Sequence, residues 1–351
     1  MSHRGACLAA LFVVTLLTGG VAWGQPAADD TFDPLRAGSP AERDNRIFDE
    51  WITTQLTALR ANPDSPEAAR NFVDRFTTEY NNEQNSELFK ARFAERSSVL
   101  FLEELQRGRE LDAEVARALA DVLLKLQSIR SLEAFKVGIT FPDQVTRYKS
   151  SQGLAAIHEA IEADARVAAQ TLQDIANVGV NEPNGVVAGA IYKALEYPDH
   201  VNESVAAITR MIAGRAKLLD DGQADFGRGE LPGLMIIDSQ AMATGLQNAR
   251  VDVVKALAVL LRVHVERYAT DNLDASTKAA IEETIDKTES ILKKLVGNTA
   301  GQLPNVSERM QQGGAEGITQ MQLELLGWIG SETDERILNQ APWSVAPGAP
   351  S

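Results

Sequence analysis

The chain has 351 residues, 44% hydrophobic and 24% charged, with 49 acids against 34 bases, one cysteine and a formal charge of −15 at pH 7. The hydrophobic fraction supports one or two packed cores and is not that of a disordered chain. An acidic balance this strong argues against a nucleic-acid partner, which needs a basic face for phosphate, and it disfavours anionic lipid.

Arg4 and His3 precede an apolar stretch from Ala6 to Leu17, and Ala22-Trp23-Gly24 sets small residues at the −3 and −1 positions of a cleavage point. The pattern predicts a secretory signal peptide over 1–24, cleaved after Gly24, and a secreted or periplasmic mature chain. The apolar stretch falls short of the roughly 20 residues a spanning helix needs. An uncleaved anchor is the competing reading. Cys7 lies inside the signal, so the mature chain is predicted to have no disulfide, no thiol chemistry and no cysteine metal site. Residues 25–40 and 341–351, rich in Pro, Ala and Gly, read as a disordered linker and a disordered tail.

Between the tails the apolar period is helical. Ile47, Phe48, Trp51, Ile52, Leu56 and Leu59 step by three and four, as do Val115, Leu119, Val122, Leu123 and Leu126. Ser65-Pro66-Glu67 has the N-cap, first-turn proline and early acid of a helix start, opening a helix through Phe72, Val73 and Phe76. A further helix is predicted from about Ser86 to Gly108. Asp252 to Tyr268 is apolar nearly all round and predicts a buried central helix, and Ala275 to Gly297 another with Lys293 and Lys294 near its negative end. Strand signals are confined to Lys136–Phe141 and Leu234–Ile237, neither beside hairpin turn chemistry.

Pro142 and Pro183 lie 41 residues apart, and at the same offset Ile139 meets Val180 and Gly153-Leu154 meets Ala194-Leu195. The first unit, Leu132 to Ile161, has Pro142, Asp143, Val145 and Arg147 at the start of its second helix, with Gly153 and Ala155 following. In that it resembles a HEAT repeat. The second unit keeps Pro183, Val186 and Ala194-Leu195 but has Asn184 and Ala188 in place of the acid and the arginine. The resemblance covers a quarter to a third of the chain and implies stacked helical hairpins whose second helices line a concave face.

The predicted fold is therefore all-α: an α-solenoid of HEAT-like hairpins or an irregular helical bundle, with a C-terminal helical segment. Glycines 222, 227, 229 and 233 with Pro232 predict a Gly-rich linker over 221–235, joining a helical region at 41–220 to a C-terminal one at 236–340.

Chemistry-bearing motifs are sparse. His158, His200 and His264 fall in no metal-ligand spacing, and His264 reads as a hydrogen-bonded core histidine. Asp220, Asp221, Asp225 and Glu230 offer oxygen ligands for calcium, but without the EF-hand spacing they read as a solvated acidic linker. Adjacent pairs such as Glu103-Glu104 point about 100 degrees apart on a helix and do not converge. No cofactor or metal is predicted. If the hairpins stack, Arg147, Tyr148, Tyr192 and Tyr197 become candidate contact residues on the concave face, since arginine and aromatic side chains are favoured interface anchors; the competing reading makes the tyrosines packing residues. The predicted function is an exported, non-catalytic scaffold that binds a protein or peptide of the cell envelope. An exported α-helical enzyme using Asp and Glu, and an acidic calcium-responsive structural protein, are the alternatives.

Overall fold

A computed structural model describes residues 30–244, 249–270, 272–297, 303–330 and 336–345, the side chains of 241–244 excepted. The predicted signal peptide lies outside the described residues. Among those described, sixteen α-helices follow one another with short 3₁₀ turns and no strand: α1 (Asp33–Arg36), α2 (Asn45–Arg60), α3 (Pro66–Tyr80), α4 (Glu87–Leu105), α5 (Ala113–Leu126), α6 (Leu132–Gly138), α7 (Gln144–Ala156), α8 (His158–Glu162), α9 (Ala165–Gly179), α10 (Gly185–Ala194), α11 (Val201–Asp220), α12 (Leu231–Thr244), α13 (Arg250–Tyr268), α14 (Ala275–Val296), α15 (Val306–Gln312) and α16 (Gly314–Ile329).

Local chemistry starts many of them. Ser65, Ser86, Asp112, Asp143, Asp164, Asn184 and Asp274 each accept a backbone N–H two or three residues on. Such a cap contributes about 1 kcal/mol relative to alanine. Neither segment with strand-like content is a strand: residues 136–138 end α6 and 139–141 turn out of it, while 234–237 lie in α12. Their β-branched residues are outvoted by packing on α7 and α11.

The helices pair in chain order: α2 with α3, α4 with α5, α6 with α7, α9 with α10, α11 with α12, α13 with α14 and α15 with α16. One layer runs α3, α5, α7, α10, α12, α14. The other is built from α2, α4, α6 and then α9, α11, α13, α16. This is the neighbour order of stacked helical hairpins, in which each pair buries its apolar stripes against the next. The buried hydrophobic cluster is continuous from Phe32 to Trp343.

Arginine forks tie successive units together. Arg96 on α4 grips Asp49 on α2 at 2.8 and 2.9 Å, and Arg117 on α5 grips the N-cap Asp143 of α7 at 3.0 and 2.6 Å. Arg147 on α7 does the same to Glu182, just before α10, at 2.7 and 3.0 Å. The planar fork matches a carboxylate edge, so each link fixes register as well as distance. Gly153 of α7 lets that helix approach α6: a Cβ there would lie 2.1 Å from the Phe135 ring.

Three boundaries differ from expectation. Residues 30–40, predicted as linker, are docked: Phe32 is fully buried, 5.2 Å from the Phe48 ring, and Arg36 donates to Glu79 at 2.8 Å. Residues 341–345, predicted as tail, are held by the buried Trp343 ring beneath Arg250 and by the Val345 amide donating to the Leu338 carbonyl at 2.7 Å. One aromatic side chain in each segment outweighs the proline content. The linker predicted over 221–235 ends early, since α12 begins at Leu231, and it divides no core, because α11 and α12 pack directly on each other.

Candidate functional site

α7 and α10 lie side by side, and the facing surface of α10 carries Gly185, Gly189 and Ala190, which keep its floor low. The glycine-rich segment 221–230 crosses above as a strap. Its Asp225 amide donates to the Pro183 carbonyl at 3.1 Å. Gly229 sits so close to α10 that a Cβ would lie 2.6 Å from the Gly185 carbonyl oxygen, a backbone approach only glycine permits. The result is a groove of about 440 Å³, with Tyr148 and Gln152 of α7 on one wall and Phe226, Arg228 and Pro232 on the other. Val186, 69% exposed, stands at its rim.

The strap is anchored by a buried ion pair. Glu230 and Arg215 are both fully buried, and Arg215 donates through Nε and Nη2 to Glu230 Oε1 at 2.9 and 2.7 Å. Its Nη1 reaches the Glu182 carbonyl, whose side chain holds Arg147. A pair of this kind adds little net stability over apolar packing, but losing one partner strands the other charge. Three polar atoms in this region have no partner among the described residues: Glu230 Oε2, Tyr192 OH and His264 Nε2. Burial pushes the Tyr192 hydroxyl up, with the Glu230 charge adding to it. Burial also holds His264 below its ordinary range, although Glu230 pulls the other way. Phe226 packs edge-on to the His264 ring with centroids 5.4 Å apart, and so joins the groove wall to this cluster.

Of the four predicted contact residues, the structure puts only Tyr148 on the groove, with its hydroxyl accepting from Gln152 at 3.0 Å. Arg147 is consumed by the fold: beyond the Glu182 fork it donates to the Phe141 and Pro142 carbonyls at 3.1 and 2.8 Å. Tyr192 and Tyr197 are fully buried and offer nothing to a surface contact. Both rings face inward, where Tyr192 packs under Gly233 of α12. In their place the groove brings together Lys193 and Phe226, which the sequence does not single out, with Val186, read there as a repeat position, and Asp225, read there as part of an acidic linker. The strap glycines were the legible signal.

The acidic strap does not assemble a cation site. Asp220 accepts from Arg262 at 2.9 Å and Glu230 from Arg215, so two of the four candidate ligands are spent elsewhere. Among the described residues no group of three or more His, Cys, Asp or Glu converges for a metal. His264 is a core residue with Nδ1 2.9 Å from the Leu260 carbonyl, as expected from its helix.

Three carboxylates among the described residues are displaced downward. Burial pushes Asp143 up, but the Arg117 fork and the Thr146 amide and hydroxyl outweigh it, leaving its carboxyl at about 2. Asp238, between Lys287 and Lys294, and the N-cap Asp274, bonded by the Thr277 hydroxyl, are lowered too. No helix among the described residues is long and apolar enough to cross a membrane. Comparison with family models, curated proteins and solved structures gives no match to this chain.

Proposed function

We propose that the chain is an exported, non-catalytic scaffold of HEAT-like hairpins that takes a segment of another envelope protein in the groove between α7, α10 and the strap. The observation that carries this reading is the groove itself. It has the volume of a ligand site, a floor of small residues, an exposed Val186, a half-buried Tyr148 and charged side chains at its rim. The buried carboxylates around it are engaged by arginines. That favours binding over acid–base chemistry.

The test is a photo-crosslinking residue placed at Val186 in cells that export the chain, with the same residue at Ile129, an exposed position outside the groove, as control. A discrete crosslinked protein at Val186, absent at Ile129 and lost in Tyr148→Ala, is the expected result. Identical crosslinks at both positions would remove the groove from the function. The mature N-terminus, read by mass, should be Gln25.

A further inference from the structure

Two charged groups on the groove lining have no partner among the described residues. Among the described residues, neither the Lys193 ammonium nor the Asp225 carboxylate makes a hydrogen bond or an ion pair. Arg228, the other cation on the lining, is engaged by Glu283 at 2.9 Å. The two unpaired groups stand at opposite ends of α10. The Asp225 carbonyl lies beside Gly185 at the first turn, 3.6 Å from where a Cβ would be, and Lys193 is on the last. Eight residues of helix separate Gly185 from Lys193, roughly 12 Å along the axis. An extended chain covers that distance in about four residues.

Backbone chemistry along the strap points the same way. Neither the amide nor the carbonyl of Gly227 is hydrogen-bonded among the described residues, and a Cβ at that residue would meet nothing within 4 Å. The strap thus offers unpaired main-chain groups to a chain lying beside it, the arrangement through which extended peptides gain affinity without side-chain specificity. Specificity would then fall to the two charges and to the apolar surface of Tyr148 and Val186.

We propose, resting on the groove reading above, that the occupant is an extended peptide segment with a basic and an acidic side chain about four residues apart, the basic one toward Asp225 and the acidic one toward Lys193. Small or apolar residues lie between them over Gly185 and Gly189. A segment of one charge sign meets attraction at one end and repulsion at the other. Because a strand lies in the groove in either direction, the mixed sign is what is recognised, not its order along the peptide.

The experiment titrates the full mature chain into dye-labelled acetylated pentapeptides, Lys-Val-Ser-Val-Glu against Glu-Val-Ser-Val-Glu, Lys-Val-Ser-Val-Lys and Gln-Val-Ser-Val-Gln, followed by fluorescence anisotropy. Two exposed ion pairs predict about five-fold tighter binding of the mixed peptide than of the neutral one at low salt. Adding 0.5 M salt removes most of that margin. In Lys193→Glu the preference moves to the doubly basic peptide. Equal affinity for all four peptides, or an order untouched by Lys193→Glu, overturns the charge assignment while a Val186-specific crosslink still upholds the groove. If no peptide binds and no crosslink forms, both fall.

Discussion

His264 is fully buried, its Nδ1 faces the Leu260 carbonyl, and its Nε2 has no partner among the described residues. Burial is the largest influence on its ionisation and lowers it from the ordinary 6.5; Glu230 and the Leu260 carbonyl oppose this, and Arg215 adds to it. As pH falls, the unfolded chain takes up this proton before the folded one does. The histidine therefore contributes stability above pH 6.5, and that contribution drains as the pH drops below it, by at most about 1.4 kcal/mol per pH unit for one proton. His264→Gln, which does not titrate, should start less stable at pH 7.5 and then close the gap on the native chain between pH 6.5 and 5. Urea midpoints at four pH values measure this; a gap that stays constant with pH would sink the linkage. The same pocket explains why Tyr192, attractive as an interface anchor by type, is a packing residue. A hydroxyl with no partner contributes no recognition, and its ring is sealed by α12.

Among the elements, the strap is the one whose conformation makes the site, and Gly229 is its hinge-pin. A methyl at that position would press 2.6 Å from the Gly185 carbonyl oxygen, and a backbone atom does not swing aside as a side chain would. Gly229→Ala should cost about 1–3 kcal/mol from overpacking and lift the strap from α10, abolishing the Val186 crosslink while circular dichroism stays helical. Gly227→Ala, with open space around it, should change stability by less than about 0.5 kcal/mol. Equal behaviour of the two variants would show that the strap does not depend on its contact with α10.

Elements of this kind divide what a sequence displays from what it hides. Helices α2, α3 and α5 are visible because their apolar stripes, and in α3 and α5 the capping side chain, are local, and α13 because it is apolar nearly all round. The strap was visible as a run of glycines, but its role was not. Gly229 meets Gly185 forty-four residues away in sequence, and Glu230 meets Arg215 across the end of α11. Neither encounter leaves a periodic trace. Arg147 misled for a related reason: its fork to Glu182 is 35 residues long in sequence, so an arginine that cements two hairpins looks like one that awaits a partner. Phe32 and Trp343 were hidden by the prolines and alanines around them, although each is buried against the core.

For the whole molecule, the question is whether 221–230 joins two bodies or lies within one. The buried cluster runs without a break across it, α11 packs on both α12 and α13, and α10 packs on α12. The strongest single constraint is electrostatic. Arg215, fully buried on α11, has Glu230, the last residue of the strap, as its one carboxylate partner among the described residues. A fragment of residues 30–220 keeps the arginine but loses Glu230 and the helices α12 and α13 that cover α10 and α11, so it exposes apolar surface that belongs to the roughly 5–15 kcal/mol holding a typical domain together. That fragment should melt well below the full chain, broadly and with aggregation. In the full chain Arg215→Met strands the fully buried Glu230 carboxylate without its cation and should cost about 3–5 kcal/mol, read as a lower melting temperature. If 30–220 instead melts as sharply and as high as the full chain, the segment is a joint between independent domains, and the strap is a linker that happens to rest on α10.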